Sequence, residues 1–170
     1  MPETPDSQKS TQEHAKTMLM AAWRSWLLCV AAPGIWLVYV VVKLPPKAEN
    51  LIAGPESSIF GPGNGMAFLA VAWLALAGPA AFVLRSYCFR ATWDGRSVDP
   101  DSYLKGMGTI WAVLVVGAVL ALFGCVLAGQ WLPGLAVAGV AVAGVLVTRP
   151  NKQALGLGQP AVPPTSPTQA

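Results

Sequence analysis

The sequence predicts an all-α polytopic membrane protein with four transmembrane helices and with both termini in the cytoplasm. Three observations predict it. Hydrophobic residues make up 54% of the 170 positions, charged residues make up only 11%, and the charges lie between long uncharged runs. A typical soluble domain carries about 25% charged residues, and a small soluble domain needs them because much of its surface is exposed. The composition therefore excludes a disordered chain and a coiled coil, and it argues against any soluble domain.

The uncharged runs delimit the predicted spans. They cover residues 25–42, 57–84 and 106–148. The third run would form a helix of roughly 64 Å, about twice the thickness of the hydrocarbon core. Its segment Gly129–Gly134 has the Gly and Pro residues of a turn, so we predict two helices there. The four predicted spans are about 20–42, 66–84, 108–128 and 133–148, and the short fourth run leaves open whether it crosses the bilayer completely.

The remaining segments complete the predicted organisation. Residues 1–19 form a polar cytoplasmic N-terminal tail, residues 20–148 form the transmembrane domain, and residues 149–170 form a disordered Pro-rich cytoplasmic tail. This last segment has four prolines among Ser, Thr and Gln after residue 159, and it cannot bury enough apolar surface to become ordered. Its Pro164-x-x-Pro167 spacing also fits the bare pattern of a polyproline ligand.

The basic residues predict the orientation, because cytoplasmic segments of membrane proteins carry an excess of Lys and Arg. In a four-span protein, nine of the eleven bases fall on one side: Lys9, Lys16, Arg24, Arg85, Arg90, Arg96, Lys105, Arg149 and Lys152. The other side has only Lys43 and Lys47. This bias predicts that the first side is cytoplasmic.

The segment between the second and third spans is the most informative polar part of the chain. Trp93-Asp94-Gly95-Arg96 is typical of a tight turn, and Asp99-Pro100-Asp101-Ser102 is typical of a helix start. A cation site built from the three aspartates is a weaker alternative to local pairing with bases. The four bases are expected to contact anionic headgroups, at about 1 kcal/mol each, or a cytoplasmic protein partner: Arg85, Arg90, Arg96 and Lys105.

The spans lack the side chains that catalysis and metal binding require. The single histidine, His14, lies in the polar tail, and Cys29, Cys88 and Cys125 are too far apart in sequence to form a Cys-x-x-Cys pair. Apart from Arg24 at the edge of the first span, no Asp, Glu, Lys, Arg or His falls within a span, whereas proton relays and ion-coupled carriers place such groups at mid-depth. We therefore expect no catalytic, cofactor-binding or metal-binding residue, no cofactor, no enzymatic activity and no nucleic-acid partner.

Small residues in the last two spans predict close helix packing. Gly117, Ala121, Gly124 and Ala128 line one face of the third span, and Gly139 and Ala143 are four residues apart in the fourth. Such faces let helix backbones approach closely in lipid. Either the third and fourth spans pack on each other or the faces form a seam between copies of the chain, and the short predicted turn favours the first arrangement.

These observations lead to a functional expectation. We expect a non-enzymatic structural or accessory subunit of a membrane assembly, whose partners are the lipid bilayer and either a second protein or further copies of the chain. The alternative is a small oligomeric transporter or channel without charged pore residues, which Pro33 and Pro79 suggest because proline can kink a span. The Ala, Gly and Pro content is typical of a bacterial inner (plasma) membrane protein.

Overall fold

The computed structural model describes residues 5–44, 62–93, 97–155 and 157, with side chains described from residue 10 and, in the second range, from residue 65. Four α-helices occupy most of these residues: α1 (Pro5–Lys43), α2 (Pro62–Thr92), α3 (Pro100–Ala128) and α4 (Gly134–Val147). A 3₁₀ turn follows at Gln153–Leu155. The prediction of an all-helical chain is confirmed, and α1, α2 and α3 are each long and apolar enough to cross a membrane.

The helices extend beyond the predicted spans. Helix α1 begins at Pro5 and so includes most of the segment predicted as a polar tail, and α2 continues to Thr92. Hydropathy marks only the part of a helix that fits the bilayer, whereas Gln, Glu and Lys are also good helix formers and prolong the helix outside it. The predicted loop between the second and third spans is therefore short, and residues 94–96 of its predicted turn lie outside the described residues.

The start of α3 is where the sequence predicts it. Asp99 is the N-cap, and its Oδ2 accepts a hydrogen bond of 3.0 Å from the backbone N–H of Ser102. Pro100 follows in the first turn, where its missing N–H costs nothing because that group would have no helical partner. This cap satisfies one of the unpaired donors of the helix N-terminus.

The predicted turn between the last two helices is also confirmed. Gly129 ends α3 with φ +65° and donates its backbone N–H to the Cys125 carbonyl; only glycine adopts this left-handed conformation without strain. The Leu132–Pro133 peptide bond is cis, and α4 begins at Gly134. The turn thus reverses the chain and places α4 directly beside α3.

Helix α3 is the central element, because it packs against each of the other three helices. One cluster of buried residues lies around its C-terminal half: Val40, Ala70, Ala118, Ala121, Leu122, Cys125, Trp131, Ala138 and Ala141. A second lies around its N-terminal half: Leu19, Ala22, Val98, Tyr103, Met107, Trp111, Val145 and Leu155. The Trp73 indole also donates a 3.0 Å hydrogen bond to the Val113 carbonyl, from α2 to α3.

Helix α4 runs antiparallel to α3. Gly134, at the start of α4, lies against the Ala121 carbonyl, whereas Gly144, near its end, lies against the Leu114 side chain. The chain therefore returns along α3 toward the end where α3 begins. Pro33 and Pro79 lie inside α1 and α2, both of which continue through them.

Two glycines of α4 provide a matched test of this close packing. A Cβ atom at Gly134 would lie 2.5 Å from the Ala121 carbonyl oxygen and 2.6 Å from the Cys125 sulfur, whereas one at Gly139 would meet no heavy atom within 4 Å. We expect Gly134→Ala to lower the free energy of unfolding by about 1–3 kcal/mol, because the helices must separate. Gly139→Ala should leave it unchanged or raise it by up to about 1 kcal/mol through helix propensity.

Equilibrium unfolding in mixed detergent micelles, followed by circular dichroism, measures both values. Equal stability of the two variants would contradict the close approach of α4 to α3.

Candidate functional site

Basic side chains collect at one end of the helix bundle, which we call the basic end. It is the end where α2 finishes, α3 starts and the chain emerges from α4. His14 of α1 also lies there, since its Nε2 is 3.7 Å from the Asp101 Oδ2. The basic end contains seven described bases: Lys16, Arg24, Arg85, Arg90, Lys105, Arg149 and Lys152. Lys43 lies at the opposite end of α1.

Two tryptophans hold the C-terminus of α4 at the basic end. The Trp26 indole N–H donates a 2.8 Å hydrogen bond to the Val145 carbonyl, and the Trp111 indole N–H donates a 3.0 Å bond to the Thr148 carbonyl. Carbonyls in the last turn of a helix have no partner within the helix, and a buried unpaired carbonyl is costly. The two indoles therefore cap α4 and connect it to α1 and α3.

The segment after α4 is fixed to the start of α3. The Asn151 backbone N–H donates a 2.9 Å hydrogen bond to the Tyr103 hydroxyl, and the Val98 backbone N–H donates a 3.0 Å bond to the Ala154 carbonyl. Leu155 is buried in the same cluster as Tyr103. Residues 149–155, predicted as part of a disordered tail, are thus ordered as far as the 3₁₀ turn; residue 156 and residues 158–170 of that tail lie outside the described residues.

A groove of about 440 Å³ opens at the basic end between α2 and the start of α3. Its lining combines two arginines with apolar and aromatic residues: Arg85, Phe89, Arg90, Trp93, Val98 and Ala154. The Arg85 guanidinium lies 4.8 Å from the centre of the Phe89 ring, and that ring stacks on Tyr103 at 5.7 Å. The cation–π contact and the ring stacking hold Arg85, Phe89 and Tyr103 together, and we call the stacked rings of Phe89 and Tyr103 the aromatic wall of the groove.

Glycine at position 106 makes this wall possible. A Cβ atom there would lie 3.1 Å from the Phe89 ring and 3.5 Å from the Arg85 Cα. The absence of a side chain lets the end of α2 approach α3 closely enough for Phe89 to reach Tyr103. The aromatic wall thus depends on a residue that does not itself line the groove.

The positive charge in the groove is uncompensated within the described residues. Their one recorded ion pair joins His14 to Asp101, and the Asp99 carboxylate caps α3. Arg85 is partly buried, and its Nε is shielded from solvent without a hydrogen-bond partner. Desolvated cations are costly unless an anion or acceptor pairs with them. The arrangement is therefore electrostatically suited to an anion.

The structure brings together only part of the predicted contact set. Arg85 and Arg90 line the groove. Lys105 is exposed at the start of α3 and is not part of its lining, and Arg96 lies outside the described residues. The sequence did not identify Phe89 as part of the site. Phe89 lies four residues after Arg85, and this spacing places both side chains on one helix face, so it could have indicated their contact. Ala154 could be assigned only from the tertiary structure.

The predicted packing residues fall into two groups. In α3, Gly117, Ala121 and Gly124 are buried and Ala128 is partly buried; a Cβ at Gly117 would lie 2.6 Å from the Leu74 side chain of α2. In α4, Gly139 and Ala143 are both exposed. The small face of α3 therefore packs inside the bundle, while Gly139 and Ala143 face away from it.

Groups suited to metal or thiol chemistry are sparse in the part of the chain that the structure describes. It contains no group of three or more His, Cys, Asp or Glu side chains that could hold a metal ion. Cys125 is buried between α3 and the turn, where its thiol donates to the Trp131 carbonyl at 3.3 Å. Cys29 and Cys88 are partly buried free thiols. We therefore take the groove with its two arginines as the candidate site.

The chain matches no protein-family model, no curated protein sequence and no solved structure.

The hydroxyl of Tyr103 tests how the segment after α4 is held. In Tyr103→Phe the Asn151 N–H loses its acceptor, at a cost of about 1 kcal/mol, so the segment should open about five times more often. Limited proteolysis with trypsin, followed by mass spectrometry, should show correspondingly faster cleavage after Lys152. Tyr87→Phe is the control, because Tyr87 belongs to the same end but its side chain is 72% exposed. Equal cleavage rates in the wild-type protein and in Tyr103→Phe would show that this hydrogen bond does not hold the segment.

Proposed function

We propose that the protein is a non-enzymatic structural or accessory subunit of a membrane assembly, inserted as four spans with both termini in the cytoplasm. The proposal rests on one observation: the charged side chains and the surfaces through which helices pack lie in different parts of the molecule. The described bases lie at the basic end, apart from Lys43, and residues 25–42, 66–84, 106–128 and 134–147 of the helices carry no charged side chain. Such a molecule is built to span lipid and to contact other helices.

The outward side chains support membrane insertion. Large apolar residues on the outer faces of the helices are more than two-thirds exposed: Leu28, Ile35, Phe68, Leu76, Val83 and Val140. A soluble monomer rarely exposes a continuous apolar surface of this kind. In lipid the same surface carries no penalty, and the helical backbone satisfies its own polar groups.

The position of α4 supports a fourth crossing. Helix α4 has 14 residues, which extend about 21 Å, less than the roughly 30 Å hydrocarbon core. However, α4 packs antiparallel along α3, and Asn151 reaches Tyr103 near the start of α3. Local thinning of the bilayer can accommodate a short span at a modest cost. The chain thus returns to the basic end, and the excess of Lys and Arg there favours the cytoplasmic side.

The outward face of α4 supports an assembly role. Gly139 and Ala143 are exposed and lie on one helix face. Small residues at this spacing drive helix association in membranes, where close backbone contact replaces the hydrophobic effect. A partner protein or a second copy of the chain would bind through this face. A bacterial inner membrane, suggested by composition, is the proposed location.

Affinity purification of the full chain in a mild detergent tests the proposal. We expect another protein, or a second copy, to co-purify in stoichiometric amount. The double variant Gly139→Leu/Ala143→Leu should reduce its recovery at least tenfold, because the added side chains keep the helices apart. The control Ala31→Leu/Ala75→Leu adds bulk at exposed positions of α1 and α2 and should change recovery less than twofold.

Two results would overturn the proposed role. One is a wild-type protein that purifies alone and monomeric after chemical cross-linking in the membrane. The other is solute or ion flux into liposomes that contain the purified protein, above the flux into empty liposomes, which would favour a transporter or channel.

A further inference from the structure

We propose that the groove at the basic end binds the phosphate group of one anionic phospholipid, with Arg85 and Arg90 as its ligands. This inference rests on the insertion and orientation in the proposed function, but it does not depend on the accessory role. It assigns a specific lipid site to two of the four bases that the sequence alone predicts as general headgroup or partner contacts.

The two arginines give the groove a positive charge that no acidic side chain of the described residues neutralises. Arg85 and Arg90 line one groove, and among the described residues neither has a recorded ion pair with an acidic side chain. Guanidinium groups bind phosphate oxygens through paired N–H donors. The Arg85 Nε is shielded from solvent and has no hydrogen-bond partner, so this cation is partly desolvated without an anion beside it.

The aromatic wall is the second argument, because it fixes the position of one cation. The Phe89 ring holds the Arg85 guanidinium by a cation–π contact and is itself held by stacking on Tyr103. An arginine fixed in this way loses less side-chain entropy on binding than a free surface lysine does. Arg90, which is exposed, supplies the second and more mobile ligand.

Depth and shape favour a lipid over a soluble anion. The predicted second span ends at Leu84, directly before Arg85, so the groove lies at headgroup level. A separate groove of about 370 Å³ also has Arg90 in its lining and lies along α2 toward that span, beside Phe82, Val83, Ser86 and Tyr87. Phe82 and Val83 are exposed, and they provide apolar surface for an acyl chain. A free phosphate or an acidic peptide would leave this apolar surface unused.

Lipid titration of the full-length protein, delipidated in a nonionic detergent, tests the site. Native mass spectrometry should show one bound phosphatidylglycerol, with at least tenfold weaker binding of phosphatidylcholine. Arg85→Gln/Arg90→Gln should raise the dissociation constant for phosphatidylglycerol at least tenfold. Arg90→Gln alone should raise it at least threefold, and this variant keeps the test valid if loss of Arg85 impairs folding.

The matched control is Lys16→Gln/Lys105→Gln, which removes the same charge from the basic end outside the groove. It should change the dissociation constant less than twofold; an effect equal to that of the arginine variant would overturn the site in favour of diffuse attraction. Equal binding of the two phospholipids would also overturn it. So would displacement of phosphatidylglycerol by millimolar inorganic phosphate or by a Glu-rich peptide, because the occupant would then not be a lipid. The lipid site and the accessory role can fail separately. If the protein binds phosphatidylglycerol as expected but purifies without a partner, the accessory role is refuted and the lipid site is supported.

Discussion

Charged side chains are absent from residues 25–42, 66–84, 106–128 and 134–147 of the four helices, and the rest of the structure depends on that exclusion. The eight acids and eleven bases of the 170 residues all lie outside these segments, in the polar parts of the helices and in the rest of the chain. A four-helix arrangement in which the last helix returns along α3 brings most of these parts together, so the bases concentrate at one end of the bundle. Local clustering of cations is unfavourable in water-poor surroundings, and an anionic surface is the simplest source of compensation.

In the uncharged parts of the helices, close packing of side chains and backbones holds the bundle together. Helix α3 contacts all three neighbours, and it can do so because Gly106 and Gly117 in α3, and Gly134 in α4, leave room for a facing chain. Tryptophan indoles then supply the polar part of the packing, since Trp26 and Trp111 satisfy carbonyls near the end of α4. Directional hydrogen bonds fix the register of helices whose apolar faces alone would slide.

Much of the fold could be predicted from the sequence, because the signals involved are local. The turn at Gly129 and the cap at Asp99 depend on residues adjacent in sequence, and both are where the pattern predicts them. The full length of α1 was not predicted, because hydropathy marks only its apolar part, although Gln, Glu and Lys before that part are good helix formers. The ordering of residues 149–155 could not be predicted, because it depends on contacts such as that between Asn151 and Tyr103. The candidate groove could be predicted only in part. Arg85 and Arg90 stood out as bases, but the wall formed by Phe89 and the contribution of Ala154 require the tertiary arrangement.

The central claim is that α4 returns the chain to the side from which α1 starts. Single cysteines placed at Lys16, Lys43 and Lys152, in a chain whose three native cysteines are replaced, can be labelled in intact cells with a membrane-impermeant maleimide. The account predicts that position 43 is labelled from outside, whereas positions 16 and 152 are labelled only after permeabilisation. Labelling of position 152 from outside, together with protection of position 16, would contradict it, because α4 would then not cross the membrane.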